Sequence, residues 1–523
     1  MRPDPTPFTL SGHQMRDPRR FMRAVPPALL AILLLVGCRA PDARERVDLL
    51  IRGGTVVTMD SARRVLEDGA VAVRGTRIVA VGPSTELDAR YVADETIDAA
   101  RQIVMPGLID GHGHAGHGLV KSLGMDTDAF YPATEAIYAR GSTVDFWRAE
   151  AFLTGAERVR FGVTTSLSFL GGGDMVMRTD DAKYGDAYLQ AMEQVGLRFI
   201  LAVGPRRPPF PQRYVEWVGD SARPVDVSFD QQLAVAEELI RTWHKRDDGR
   251  LQLAMAFPTH HPEQTSLRGA ALDSLVAQAR ATRALSKTHG LLLTQDGHSK
   301  YSVKFADEVF DILGPDVLLS HATGMTDEEI AIVARTGTKV VHNPSANAAM
   351  RERFRLVELL DAGVTVMLGS DGVAPDRSYD MFRHVFQAMR YHRAAWQDTK
   401  VLPAGKALEM VTVDAARALG MADEIGSLEA GKRADIILVD AARPHMMPAQ
   451  MPLYRLAYFA NGNDVTTTIV HGRLLMRDRV LQTVDERRVV DDAQREADLA
   501  IRRTGLDSLL QTPDGFWGRS RLP

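Results

Sequence analysis

The chain predicts an α/β fold: a (β/α)8, TIM-like barrel carrying a small β-sandwich built from its N- and C-terminal flanks. Three observations predict it. Eight short apolar runs alternate with helical patterns through the middle of the sequence, which is the signature of parallel βα units. Stretches rich in β-formers and punctuated by glycine lie on both sides of that region. The 523 residues, 45% hydrophobic and 25% charged, are long enough and ordinary enough for a large barrel with an appendage. A formal net charge of -4 gives no nucleic-acid footprint.

The first element is a leader. Arg16, Arg19, Arg20 and Arg23 precede an apolar stretch, 28–36, that is too short to span a bilayer as a helix. Leu35-Val36-Gly37-Cys38 follows. Charge, short apolar core and small residues are the pattern of an export signal. Its end resembles a bacterial lipobox, which implies lipidation of Cys38 and a membrane anchor. Arg39 in place of aspartate implies the outer membrane of a Gram-negative cell. An unlipidated signal or a buried helix is the alternative. Cys38 is the single cysteine, so no intrachain disulfide forms.

After a polar linker, 47–58 reads as strand, turn, strand, with Gly53-Gly54 as the hairpin signal. Residues 70–82 repeat the theme. The barrel runs are 103–109, 163–169, 199–203, 251–257, 291–294, 317–319, 339–341 and 364–368. An open doubly wound sheet is the structural alternative, weakened by the lack of a Gly-rich phosphate fingerprint after the first run. Beyond Gly420, residues 426–440 read as a turn-rich strand pair, 465–480 as a hairpin turned at His471-Gly472, and 490–503 as a final helix. The expected organisation is a signal peptide at 1–38, a sandwich from 39–105 and 420–485, a barrel at 106–419 and a helical tail at 486–523.

Active residues of such barrels sit at the C-terminal ends of strands. The first run leads into His112 and His114, which share one face of an extended strand about 6–7 Å apart. Two imidazoles at that spacing can converge on one ion. The fourth run ends in His260-His261, the fifth in Gln295-Asp296-Gly297-His298, the sixth in His321, the seventh in His342-Asn343 and the eighth in Asp371. One histidine after a strand is usually an ordinary loop residue; this recurrence points to a metal site. His244 and His289 fall in helical stretches and read as surface or capping residues. Phe130, Tyr131, Phe210, Tyr214 and Trp217 either line an aromatic pocket or pack the rim.

These motifs together resemble the amidohydrolase superfamily, and within it the deaminases and chlorohydrolases of nitrogen heterocycles. The likeness spans 47–480. It includes Pro-Gly-Leu-Ile-Asp-Gly-His-Gly-His at 106–114, Gly-Val-Thr-Thr at 162–165, His342-Asn343-Pro344-Ser345-Ala346-Asn347 and Gly369-Ser370-Asp371. The resemblance implies that His112 and His114 are metal ligands. It makes Asp371 a ligand that also shuttles a proton, and His321 the residue that orients or deprotonates the bound water. It places His117 and His260 against substrate. Residues 251–257 contain no lysine, so a bridging carbamylated lysine is not expected and one divalent metal is. Zinc is the default for such ligands, and iron is the alternative the family admits.

One departure matters. The family ends its fifth strand with His-x-x-Glu, where this chain has Gln295-Asp296-Gly297-His298. Either His298 swings in as a ligand, or Gln295 binds weakly, or the site holds metal poorly. Gly297 permits the backbone a relocated ligand needs, and Asp296 is placed to orient His298. The expected function is metal-dependent hydrolysis of a carbon–nitrogen bond in a small cyclic amidine or amide, with His298 or His260 protonating the leaving nitrogen. A cyclic-amide (imidazolonase-like) hydrolase and a catalytically impaired surface-anchored scaffold are the alternatives.

Overall fold

The N-terminal flank folds as β1 (Glu45–Val57), β2 (Val65–Arg74), β3 (Arg77–Pro83), β4 (Tyr91–Asp98) and β5 (Gln102–Pro106). The middle of the chain supplies β6 (Leu108–His114), β7 (Val163–Phe169), β8 (Arg198–Val203), β9 (Gln212–Val218), β10 (Ser221–Val227), β11 (Leu251–Ala256), β12 (Leu293–Gln295), β13 (Val317–Ser320), β14 (Lys339–His342) and β15 (Val366–Leu368). The C-terminal flank adds β16 (Ile436–Asp440), β17 (Val465–Val470), β18 (Arg473–Arg477) and β19 (Val480–Leu481). The computed structural model describes residues 44–172, 177–261, 267–349, 352–518 and 520. The leader and Cys38 lie outside the described residues. Among the described residues no helix is long and apolar enough to cross a membrane.

The eight apolar runs become an all-parallel sheet in the order β15-β14-β13-β12-β11-β8-β7-β6. Strands β7 and β8 are buried along their whole length, as continuous apolar strands covered on both faces must be. Inward side chains Ile109, Leu167, Ile200, Ala254, Leu318, Val341 and Met367 fill the interior as one core. The two end strands do not pair by a ladder. Residues 410–411 bridge them: Leu368 N donates to Met410 O at 3.0 Å and Ile109 N to Val411 O at 2.9 Å. Asp371 N then donates to His112 O at 2.9 Å, which joins strand ends one and eight at the site itself.

The flanks form one sheet, β19-β18-β17-β16-β5-β1-β2-β3, with β4 paired to β1. Residues of both flanks share one apolar core, among them Ile51, Val71, Ile97, Val104, Leu438 and Ile469.

Three local expectations are corrected. The run 103–109 is two strands: β5 belongs to the flank sheet, and only β6 enters the barrel. Gly53-Gly54 is no hairpin, because β1 runs straight through it. Gly53, at φ +79°, makes an irregularity in the β1–β2 register, and a side chain at Gly54 would meet Ala99. In 426–440 only 436–440 is strand. Tyr214 and Trp217, read as lining a pocket or packing the rim, lie on the hairpin β9–β10, where Tyr214 is buried with its hydroxyl donating to Met177 O at 2.8 Å. The hairpin at His471-Gly472 is present, both residues having positive φ. The last helix, Glu486–Thr504, starts four residues early, where the Asp485 carboxylate caps Arg487 N and Arg488 N.

Candidate metal centre

Alternation along β6 puts Asp110, His112 and His114 on one face. His112 Nε2 lies 3.0 Å from Asp296 Oδ1 and 3.5 Å from Asp371 Oδ1. His321 Nε2 lies 3.2 Å and 3.4 Å from the same two oxygens. One donor atom from each of His112, Asp296, His321 and Asp371 falls within 4.8 Å of the others. His114 Nε2 joins the rim, 3.1 Å from Asp371 Oδ1 and 3.5 Å from Asp296 Oδ2. Its Nδ1–H donates to Gly171 O at 3.2 Å, so Nε2 presents a lone pair.

The donor set suits a divalent cation. Among the described residues, both ring nitrogens of His112 and Asp296 Oδ1 are buried with no hydrogen-bond partner. Two carboxylates balance the ion's charge, and imidazole with carboxylate is a zinc ligand set. Strain accompanies it: His321 (φ +68°), Ala322 (φ +46°) and Asp371 (φ +59°) hold left-handed backbones that non-glycine residues rarely adopt.

Residues behind the cluster orient it. Asp110 accepts from Ser370 N and Ser370 Oγ, both at 2.8 Å, which pins the residue before Asp371. Arg377 Nη2 lies 3.2 Å from Asp371 Oδ2, leaving Oδ1 to the imidazoles. Burial opposes ionisation of Asp371, but Arg377 and then His321 outweigh it and hold the carboxyl well below the usual range. Asp296 is likewise held low, against its burial, chiefly by His112. Burial disfavours the His321 cation, yet Asp371 and Asp296 raise its pKa to about 10.

At strand five the cluster of imidazoles and carboxylates includes Asp296, expected behind His298, and not His298 itself. Gly297, at φ +77°, turns the backbone there. Gln295 Nε2 donates to Pro258 O at 3.2 Å, and its Oε1 is buried without a partner. His298 Nδ1 bonds Ser302 Oγ at 2.8 Å, and burial, reinforced by His261, lowers its pKa to about 3. His260 Nδ1 donates to Pro258 O at 2.9 Å, and burial, reinforced by Arg207, lowers its pKa to about 4. Neutral rings bonded through Nδ1 have no proton on Nε2, so neither histidine is set up as the acid expected of it.

His117 packs against His114 with ring centroids 4.6 Å apart and touches Phe130 edge-on at 6.0 Å. A side chain at Gly372 would come within 2.4 Å of His117 Nδ1, so only glycine fits there. His342 stays out of the cluster: Nδ1 bonds Asn347 Oδ1 at 2.9 Å and the ring stacks on Phe354 at 4.1 Å. Asp110 and Arg377 are contributors the sequence did not single out, and Asp296 was expected to orient His298 rather than to join the cluster. Asp110 was visible as the third member of the 110, 112, 114 face; no local pattern marks Arg377.

Comparison with known proteins places this geometry in a family context. The profile of the amidohydrolase family matches residues 103–475. A bacterial imidazolonepropionase-like composite domain matches residues 69–91. The 5-methylthioadenosine/S-adenosylhomocysteine deaminase of Desulforudis audaxviator is 33% identical, over 86% of this chain and 98% of its own. The 5'-deoxyadenosine deaminase of Methanosarcina mazei is 30% identical, over 87% and 99%. Among solved structures, a zinc-bound adenosine deaminase from Xanthomonas campestris superposes with a TM-score of 0.74 at 25% identity, covering 88% of this chain and all of its own. The zinc-complexed atrazine chlorohydrolase of Arthrobacter aurescens shares the fold at a TM-score of 0.69 and 23% identity, over 86% and 100%.

Proposed function

This chain belongs to the amidohydrolase family, and on that premise we propose that it deaminates a small aminated heterocycle with one zinc ion and water. It is a hydrolase of non-peptide carbon–nitrogen bonds. The observation that carries the reading is the meeting of His112, Asp296, His321 and Asp371 at the mouth of the barrel. His112, His114, Asp371 and Asp296 would hold the ion. Zinc rather than iron is supported by the imidazole–carboxylate donors and by the zinc-bound relative.

When bound, such an ion supplies a water that ionises at a pH of about 7. Asp371 would accept a proton from that water as general base and return it to the departing nitrogen, while His321, protonated at neutral pH beside the two carboxylates, would donate to the developing oxyanion. The closest atoms of Asp371 and His321 are 3.4 Å apart. The water's oxygen ends on the ring carbon, the carbon–nitrogen bond breaks, and ammonia leaves. His117 and His260 line the substrate's place.

Zinc-loaded protein is expected to release ammonia from members of a purine, pyrimidine and triazine panel. Asp371→Asn is expected to lose at least about a hundredfold of that rate, and a chelator to abolish it until zinc is restored. Unchanged turnover in Asp371→Asn overturns the assignment. A second reading, ring opening of a cyclic amide, is supported by the imidazolonepropionase-like match and by the missing strand-five glutamate; it consumes substrate without ammonia. A binding scaffold is the outcome if less than about a tenth of an equivalent of zinc is retained after supplementation, since intact ligand sets of this kind bind tightly.

The leader supports export and an acyl anchor at Cys38 on the outer membrane. Labelled palmitate is expected to enter the wild-type protein in a lipoprotein-competent host and not Cys38→Ala. Label that survives the substitution removes the anchor from this account.

A further inference from the structure

Three buried side chains at the ends of the neighbouring strands β11 and β12 have settled hydrogen-bond polarity. A carbonyl only accepts, so Pro258 O requires a proton on His260 Nδ1 (2.9 Å) and the amide nitrogen of Gln295 facing it (3.2 Å). His260 Nε2 and Gln295 Oε1 are then lone pairs, both buried and without a partner among the described residues. The third case needs one more step. Ser302 Oγ donates to Ser299 O at 2.6 Å, so its only hydrogen is used, and it accepts from Ser299 N at 3.0 Å. Its remaining lone pair, 2.8 Å from His298 Nδ1, demands a proton on that nitrogen. Among the described residues His298 Nε2 is buried with no hydrogen-bond partner, and a ring whose one proton sits on Nδ1 keeps a lone pair at Nε2. His298 Nε2 is therefore a lone pair as well.

We infer that this wall recognises the substrate by accepting hydrogen bonds, and that the substrate presents ring N–H groups to it. The class is a lactam, cyclic urea or cyclic guanidine ring, as in guanine or isocytosine. Adenine and cytosine instead turn a bare ring nitrogen beside the aminated carbon, and lone pair would face lone pair. The inference rests on the deaminase reading and deepens it. The strand-five acid of the family protonates a bare ring nitrogen. Here Gln295 and His298 replace the family pattern with two acceptors, and the proton for the bare nitrogen on the other side of the attacked carbon would come from the water by way of Asp371. Thr259 Oγ1, also unpartnered, takes either role by rotation, and Arg207 donates to Thr259 O at 2.5 Å.

The test uses the zinc-loaded protein and two matched pairs, guanine against adenine and isocytosine against cytosine. Each unmatched buried group is expected to cost about tenfold to a hundredfold in kcat/KM, so the N–H member of each pair leads by at least about tenfold. His298→Glu, which can carry and donate a proton, is expected to move the ratio toward adenine and cytosine by at least about tenfold; its zinc content is measured alongside. Nitrogen-15 spectra at pH 7, assigned with His260→Gln and His298→Gln, are expected to show protonated Nδ1 and bare Nε2 at both histidines. A proton on either Nε2, or a lead for adenine or cytosine in the wild type, overturns the inference. If no panel member turns over, the deaminase reading fails, and the nitrogen-15 spectra still decide the polarity of the wall.

Discussion

Glu150 is a carboxyl with almost no water around it. It lies on the helix Val144–Arg160 and accepts from Gly116 N at 2.6 Å and Gly118 N at 3.4 Å, the two residues flanking His117. Burial raises its pKa to about 6, and Arg158 and the backbone N–H groups offset this only in part. The folded state thus holds this proton more tightly than the unfolded chain. The stabilisation is complete below the ordinary value of 4.5 and is lost as pH rises through about 6. A shift of that size corresponds to about 2 kcal/mol. Glu150→Gln keeps an oxygen for Gly116 N and removes the titration, so the fall in unfolding free energy between those two pH values is expected to flatten in denaturant titrations. An unchanged slope assigns it to another group. At this scale the sequence was legible where strand alternation alone decides direction, as at His112 and His114. It was not legible at 295–298, because β12 ends at Gln295 and the positive φ of Gly297 decides which neighbour reaches the cluster.

Gly107 is the hinge between two elements that the apolar pattern reads as one. Val104, Met105, Leu108 and Ile109 are all buried, so burial carries no mark of the change from flank sheet to barrel. The mark is steric. Gly107 N donates to Asp435 O at 2.9 Å and Leu108 N to Gly162 O at 3.0 Å, so the backbone is held by the sheet on one side and the barrel on the other. A Cβ on Gly107 would lie 2.1 Å from the Thr164 side chain. Gly107→Ala must displace a buried β7 residue and is expected to cost about 1–3 kcal/mol, read by chemical denaturation. Gly107→Ala/Thr164→Ser, which removes one of the atoms met, is expected to recover part of the loss; no recovery places the strain elsewhere. Glycine placement was readable at His471-Gly472, where two positive φ angles make the turn, and misleading at Gly53-Gly54, where a glycine pair sits at a register irregularity inside one continuous strand. A hairpin and a bulge ask for the same residues, and only the partner strands separate them.

From Arg44 onward the chain forms one unit, and a buried ion pair fastens the barrel sheet to the flank sheet. Arg198 on β8 donates through Nε to Asp435 Oδ2 at 2.9 Å and through Nη2 to Asp435 Oδ1 at 3.3 Å. Asp435 precedes β16, and its Oδ1 also accepts from His471 N at 2.7 Å; the partners are both nearly inaccessible to solvent. Such a pair gains little over apolar packing, but breaking it from one side strands a buried charge. Arg198→Met is expected to destabilise by about 3–5 kcal/mol for that reason. Arg198→Met/Asp435→Leu removes the orphaned carboxylate and restores apolar volume, so it is expected to recover part of the loss. Recovery stops short of complete because His471 N then lacks its acceptor, at about 1–3 kcal/mol for a buried unsatisfied group. Denaturant unfolding of both variants, followed by tryptophan fluorescence for the barrel residues Trp147 and Trp243 and by far-ultraviolet dichroism for the whole chain, measures this. Coincident transitions with the double variant between wild type and Arg198→Met are the expected result. A double variant as unstable as Arg198→Met would mean that the charge of Asp435 costs nothing when unpaired and that the His471 contact carries the joint. Transitions that separate would mean that the flank sheet unfolds without the barrel.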